Sequence, residues 1–291
     1  MTGPELAGPG SWPGEIVPLR LPRPAELFGR RAQRFQELSA GHAAGDFLEA
    51  MAALCRAQAV ALGRSAAPPG RELPARLPLA AVEWPRPGWR DGLAAIAGEM
   101  ARVPLPGPAR AALERLGHLP EAELEALADA LLGGATGRLD MATVPFVGAA
   151  LQVHFAAMAA GLDAGRIERS ERGCPVCGSP PVAGLVLGDD KLRYLTCSLC
   201  GSDWHFTRVV CSGCRQGGKL RYLAIEGDPG GAKAEACGDC GTYLKVFYAE
   251  RMPRAEPFAD DAASIALDLL VAEEGYARGG VNLFLLAGAE I

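Results

Sequence analysis

Histidine is scarce. The chain has four in 291 residues, so it holds little of the side chain that most often moves protons near neutral pH. Three familiar catalytic signatures are missing as well: a phosphate-cradling P-loop, a glycine-rich dinucleotide turn, and a His-x-x-x-His helix for an open metal site. Lysine supplies only four of the 29 basic residues, an imbalance that reads as genome composition rather than function. No secretory leader is visible, because residues 1–10 contain neither a basic head nor an apolar stretch, and this argues against the oxidising compartments where disulfides persist. The most apolar run, 141–162, approaches the roughly 20 residues of a membrane span, but Pro145, Gly148, Gln152 and His154 interrupt it. A buried helix is the better reading, and no membrane insertion is expected.

The remaining composition is ordinary for a globular protein, with 49% hydrophobic and 22% charged residues and a formal charge of −5. A chain of this length buries a real core and is long enough for two domains. Its 37 glycines and 23 prolines imply many turns. Residues 171–251 hold ten Lys/Arg against nine Asp/Glu. Eight thiolates around two divalent ions would move that stretch to about −3. Nucleic-acid binding wants a basic face, and this region lacks one.

Cysteine is where the chain is rich. Eight of nine cysteines lie between 174 and 240 as four Cys-x-x-Cys pairs: Cys174/Cys177, Cys197/Cys200, Cys211/Cys214 and Cys237/Cys240. One such pair grips a metal from a tight turn, and a second closes the tetrahedron. Nineteen residues separate Cys177 from Cys197, and 22 separate Cys214 from Cys237. Both gaps are close to the ribbon spacing, in which a two-stranded excursion brings two turns together. The spacing predicts two four-cysteine metal sites in tandem, each made of sequence-adjacent pairs. Glycine follows the second cysteine in three pairs, at Gly178, Gly201 and Gly241, where a positive φ lets backbone N–H groups point at sulfur. Arg215 occupies that place in the third pair, which makes it the least regular. A thioredoxin-like redox pair would need one Cys-x-x-Cys at the head of a helix, and an iron–sulfur cluster would need a tighter run of cysteines or one far away. Neither describes four pairs with strand-like spacers.

The predicted organisation is α+β: an extended arm at 1–24, a mainly helical domain at 25–165, a tandem rubredoxin-like or zinc-ribbon domain at 166–250, and a C-terminal helix and tail at 251–291 that pack on the ribbons or the helices. Helical periodicity places helices near 25–40, 47–62, 90–101, 108–117, 121–132 and 144–160. Polar residues 163–173 read as a linker. Strands are expected at 182–187, 191–196, 204–210, 219–226, 232–236 and 243–247. Lys-Leu-Arg-Tyr-Leu occurs at 191–195 and 219–223, a weak sign of duplication. The final helix, 258–274, carries a stripe of Ala262, Ile265, Leu269 and Leu270. The apolar tail, 279–286, either docks in the core or serves as a partner-binding strand. Cys55 reads as a buried inert thiol, His154 as a core histidine and His205 as a packing residue. Trp84 and Trp89 read as anchors of a Pro-rich loop.

A site filled by four cysteines is closed to substrate and water, so it stabilises a small domain. With iron it also passes one electron; sulfur ligation suits zinc or iron equally. From the residues alone three classes stay open: a protein-binding adaptor, a rubredoxin-type one-electron carrier, and a zinc-ribbon nucleic-acid binder, which the charge disfavours.

Several stretches are similar to the formate dehydrogenase accessory protein family FdhE: Glu171-Arg-Gly-Cys-Pro-Val-Cys-Gly-Ser-Pro180, Arg193-Tyr-Leu-Thr-Cys-Ser-Leu-Cys200, Trp204-His205, Arg208-Val-Val-Cys-Ser-Gly-Cys214, Ala234-Glu-Ala-Cys-Gly-Asp-Cys-Gly-Thr-Tyr-Leu-Lys245 and Ala259-Asp-Asp-Ala-Ala-Ser-Ile-Ala-Leu-Asp-Leu-Leu270. The resemblance is close over about 165–286 and rests on length and pattern in the helical half. It implies a cytoplasmic, non-enzymatic accessory protein needed to make active formate dehydrogenase by acting on its catalytic subunit. It also implies rubredoxin-like, iron-binding sites at all eight matching cysteines, with zinc as the alternative metal.

Overall fold

The computed structural model describes residues 16–64, 77–79, 87–135, 137, 139–168, 170, 173–227 and 230–285. Its first half is helical: α1 (Pro24–Ser39), α2 (Gly45–Arg64), α3 (Pro87–Met100), α4 (Gly107–Leu116), α5 (Glu121–Leu132) and α6 (Val144–Ala160). Pro24 starts α1 where a missing N–H is harmless. Leu27, Phe28, Arg31, Ala32 and Phe35 then recur three and four residues apart and turn inward. Buried alanines on α2 (Ala52, Ala53, Ala57, Ala61) let neighbouring helices approach closely. The 17-residue α6 is apolar nearly all round and buried along its length. Among the described residues no helix is long and apolar enough to cross a membrane. Trp89 is fully buried, and its Nε1 donates to Glu125 on α5 at 3.1 Å, so it is an anchor; Trp84 lies outside the described residues.

The second half is a sheet of β1 (Leu19–Arg20), β2 (Pro181–Leu187), β3 (Leu192–Cys197), β4 (Asp203–His205), β5 (Leu220–Leu223), β6 (Ala232–Cys237), β7 (Thr242–Tyr248) and β8 (Ala277–Arg278). The order is β1-β4-β3-β2-β7-β6-β5, with β8 beside β7. Each ribbon repeats one plan of knuckle, two antiparallel strands, knuckle and third strand: β2-β3-β4, then β5-β6-β7. Pro181 faces Cys197 in the first ribbon as Leu220 faces Cys237 in the second. The two ribbons fuse into one sheet because β2 and β7 pair in parallel, Gly184 opposite Val246 and Leu185 opposite Phe247. The N-terminal arm joins this sheet, with Leu19 paired to Trp204.

The architecture is therefore α+β, as expected: helices, then a sheet carrying two four-cysteine sets, then a helical C-terminal segment. One hydrophobic core runs from α1 through the first ribbon to Phe284. A smaller one under the second ribbon joins Ala234, Ala236, Tyr243, Leu267 and Val271.

Two expectations need correction. The helix expected at 258–274 is two: α7 (Pro257–Ala263) and α8 (Ile265–Glu273), broken at Ser264. The Lys245 ammonium donates to the Asp261 carbonyl at 2.6 Å and to Ser264 Oγ at 3.1 Å, at the break itself. The break rotates the phase, so Leu267, Asp268 and Val271 turn inward while Ile265, Leu269 and Leu270 stand 43%, 48% and 46% exposed. The strand expected at 204–210 stops at His205, because the Arg193 guanidinium captures the carbonyls of Thr207 and Val210 at 2.6 and 2.7 Å and turns the chain. The two Lys-Leu-Arg-Tyr-Leu copies are not structural equivalents. Arg193 is buried on β3, which leads into a knuckle, whereas Arg221 is exposed on β5, which leaves one.

Of the two readings of the tail, core docking is the one observed. Gly279 N–H donates to Tyr243 O at 2.7 Å, and Val281 N–H to Pro181 O at 2.9 Å. A Cβ at Gly280 would sit 2.5 Å from Val182 O, so only glycine passes here. Phe284 packs between Phe35 and Phe258, its ring centroid 6.2 and 5.6 Å from theirs.

Candidate metal centres

The structure gathers the eight cysteines as their spacing predicts. Cys174, Cys177, Cys197 and Cys200 form one set, and Cys211, Cys214, Cys237 and Cys240 the other; within each set all sulfurs lie within 4.8 Å of one another. Cys174 Sγ is 3.7 Å from Cys200 Sγ, and Cys177 Sγ 3.3 Å from Cys197 Sγ. In the second set Cys211 to Cys240 and Cys214 to Cys237 are both 3.7 Å. A tetrahedral ion with metal–sulfur bonds of about 2.3 Å needs sulfurs about 3.8 Å apart. All nine cysteines are free thiols. The residues present fit a tetrahedral, sulfur-ligated ion at both places.

Four local turns make these sets. The residue after each second cysteine has positive φ: 82° at Gly178, 72° at Gly201, 67° at Arg215 and 70° at Gly241. Arg215 thus keeps the knuckle geometry without glycine, and its guanidinium lies 4.6 Å from the Phe206 ring centroid. The turns close alike, with the N–H of Gly178, Arg215 and Gly241 donating to the carbonyls of Cys174, Cys211 and Cys237 at 2.8, 3.1 and 2.9 Å. Backbone N–H groups of Leu199 and Cys200 point at Cys197 Sγ (3.3 and 3.4 Å), and that of Gly213 points at Cys211 Sγ (3.3 Å). Such donors stabilise thiolate.

Two hydroxyls were missed by spacing arguments. Ser202 Oγ lies 3.2 Å from Cys200 Sγ, and Thr242 Oγ1 lies 3.1 Å from Cys240 Sγ. The signal was present in the Cys-Gly-Ser/Thr that closes the second knuckle of each ribbon. Partners of this kind orient ligands and tune an ion.

The two sets differ in cover. All four cysteines of the first are buried; in the second Cys214 is partly exposed and Cys240 exposed. Leu27 of α1 presses on Gly201, and Pro78 on Gly178. Leu79 N–H donates to Val176 O at 2.9 Å, and Gln152 Nε2 of α6 to Ser198 O at 2.9 Å. Gln152 in turn accepts from Gln58 at 2.9 Å and from Arg31 at 3.3 Å, and Arg31 pairs with Glu256 at 3.1 Å. A buried polar relay therefore ties three helices to the second knuckle. No periodicity argument could find it, because its links join residues 46 to 225 positions apart.

Four buried thiols cannot all ionise without a cation. Burial drives Cys197 and Cys200 well above the ordinary thiol range. At Cys177 burial pulls the same way, but hydrogen bonds from Cys174, Cys197, Cys200 and Ser179 hold it well below that range. In the second set burial raises Cys211 to about 12. At Cys240 burial pulls upward, but hydrogen bonds from Thr242, Cys214 and Cys211 together bring it down to about 7. A divalent ion at each centre would resolve this conflict by favouring thiolate at every ligand.

The other singled-out residues stay away from both sets. Cys55 is fully buried and its thiol is pushed far up by burial. His154 packs edge-on to Phe155 with ring centroids 5.8 Å apart, and His205 edge-on to Tyr194 at 5.7 Å. The buried Arg193–Glu235 pair crosses between the ribbons.

A helical half carrying a fused double ribbon with two four-cysteine sets defines a scaffold class whose candidate metal sites offer sulfur alone. Family models of FdhE match it in succession: the N-terminal domain at 16–171, the central domain at 173–208 and the C-terminal domain at 209–285. The chain belongs to the FdhE family. It is 40% identical over 290 residues to Protein FdhE of Escherichia coli, covering 94% of this chain and 92% of that one. It is 39% identical over 288 residues to the Protein FdhE homolog of Cronobacter sakazakii, with the same coverage. The crystal structure of the FdhE protein from Pseudomonas aeruginosa superposes with a TM-score of 0.83 at 37% identity, over 94% of this chain and 100% of that one.

Proposed function

We propose that this chain is a non-enzymatic accessory protein for formate dehydrogenase. It binds the catalytic subunit in the cytoplasm and is required for that enzyme to become active. The observation that carries the reading is family membership along nearly the whole chain, joined to two sets of four cysteines whose sulfurs lie close enough to fill all four positions around an ion. Cys174, Cys177, Cys197 and Cys200 would hold one ion, and Cys211, Cys214, Cys237 and Cys240 the other. Iron is favoured by the family resemblance, and zinc is the alternative. When bound, either ion clamps two knuckles into a fixed shape, and iron adds a one-electron couple. The chain's own residues do the rest: knuckle N–H groups and the Ser202 and Thr242 hydroxyls hold the thiolates, and the Gln58–Gln152 relay fixes the first ribbon on the helices. The exposed apolar residues Ile265, Leu269 and Leu270 on α8 are the kind of surface that a protein partner covers.

Capture of the catalytic subunit by wild type is expected to fail in Cys174→Ser and Cys237→Ser variants. Unchanged capture by folded, metal-depleted variants would refute the docking reading. Elemental analysis with a visible spectrum of anaerobically purified protein separates coloured iron thiolate from colourless zinc.

A further inference from the structure

The two cysteine sets are built alike but seated differently. At the first, every sulfur is buried, and both knuckles are pressed from outside the ribbon. A Cβ at Gly201 would meet Leu27 at 2.6 Å, one at Gly178 would meet Pro78 at 3.1 Å, and α6 grips Ser198 through Gln152. At the second, Gly241 has nothing within 4 Å of where a Cβ would sit. Gly213, Arg215, Gly238, Asp239 and Cys240 are all exposed. The sulfur hydrogen bonds there stay within the second ribbon, and its second knuckle is held from outside at the backbone, where Ala277 N–H donates to Gly241 O at 2.8 Å.

We infer, building on the reading that both sets hold an ion, that the centres divide their work. The Cys174/Cys177/Cys197/Cys200 centre is a permanent structural clasp. The Cys211/Cys214/Cys237/Cys240 centre is the exchangeable one, open to an incoming soft ligand (a thiolate or a nitrogen chelator) through Cys240 and Cys214. Substitution at a closed tetrahedron needs a path for the new donor. At the second centre that path is solvent on the Cys240 side. With an ion held there, an incoming donor would take the place of Cys240 Sγ, which would leave as thiolate, so that the charge on the ion would not change. At the first centre no such approach exists until α1 and α6 lift from the knuckles, a local unfolding event.

The test uses the full chain loaded with two zinc ions and challenged with 4-(2-pyridylazo)resorcinol. One ion per chain should leave at least about tenfold faster than the other, the size of effect expected when a site loses its outer support. Cys240→Ser should remove the fast ion and leave the slow one. Alkylation of the loaded wild type with N-ethylmaleimide, followed by peptide mapping, needs no variant to fold; Cys240 and Cys214 should react well before Cys174, Cys177, Cys197 or Cys200. Release of both ions in one phase, or equal alkylation of the two sets, would overturn the division of labour. Failure to load two ions would show before chelator is added, and would defeat the metal reading itself together with this inference.

Discussion

The cover over the first centre can be measured with two alanine substitutions that share one backbone requirement. Gly201 and Gly241 have nearly the same φ, 72° and 70°. Placing a Cβ in that left-handed region costs about 1–2 kcal/mol. At Gly241 the new methyl enters open space, so Gly241→Ala should lose only that amount. At Gly201 it would lie 2.6 Å from Leu27 Cδ2, and Leu27 is itself 7% exposed and packed in the main core. Overpacking of this kind adds about 1–3 kcal/mol, giving roughly 2–5 kcal/mol for Gly201→Ala. Urea unfolding of the metal-loaded protein, followed by circular dichroism at fixed metal concentration, reads the difference between the variants. A cycle with Leu27→Ala isolates the contact, because the shorter side chain makes room for the methyl. The double variant should recover about 1–3 kcal/mol relative to additivity. If the two glycine variants lose the same stability and the cycle shows no coupling, α1 does not clamp the knuckle, and the argument for a sealed first centre fails with it.

Lys245→Met leaves Asp261 and Asp268, which the ammonium bridges at 3.1 and 2.6 Å, with Arg278 as their remaining cation; a loss of about 3–5 kcal/mol in urea unfolding is expected. Asp261 carries its own pH signature. Burial works to raise its pKa, but Lys245, Arg278 and Asn282 together hold it below the usual carboxylate range. Its contribution is therefore complete above about pH 4, the unfolded value, and is lost as pH falls through the lower folded value. The deficit of Asp261→Asn against wild type should be largest at neutral pH and shrink on acidification below about 4; a constant deficit would show that the carboxylate's charge is not what matters. Phe284→Ala opens space between Phe35 and Phe258 and should cost about 3–5 kcal/mol, whereas an unfolding midpoint equal to wild type would mean the tail is not part of the core.

Local chemistry was legible in the sequence. Two cysteines two residues apart can share one ion only through a tight turn, and the lengths of the intervening stretches allow one ribbon each, so the ligand sets followed from spacing. The helices at 121–132 and 144–160 matched to the residue, because a proline at the start and a glycine just past the end bracket each of them locally. The phase of α8 did not follow. Its apolar residues satisfied a helical stripe, but Lys245, 16 residues before Asp261, broke the helix and drew Asp268 inward. The parallel seam between β2 and β7 likewise has no sequence signature, since it joins strands about 60 residues apart and either ribbon could close without it.

By itself, then, the order of residues determined which cysteines meet and what geometry each knuckle takes, because those are properties of short segments. Only the tertiary structure decided that the two centres are unequal. Whether a sulfur faces α1 and α6 or faces water depends on where the helical half lays its apolar sides, and on the seam that sets one ribbon against the helices while the other stands at the open edge of the sheet.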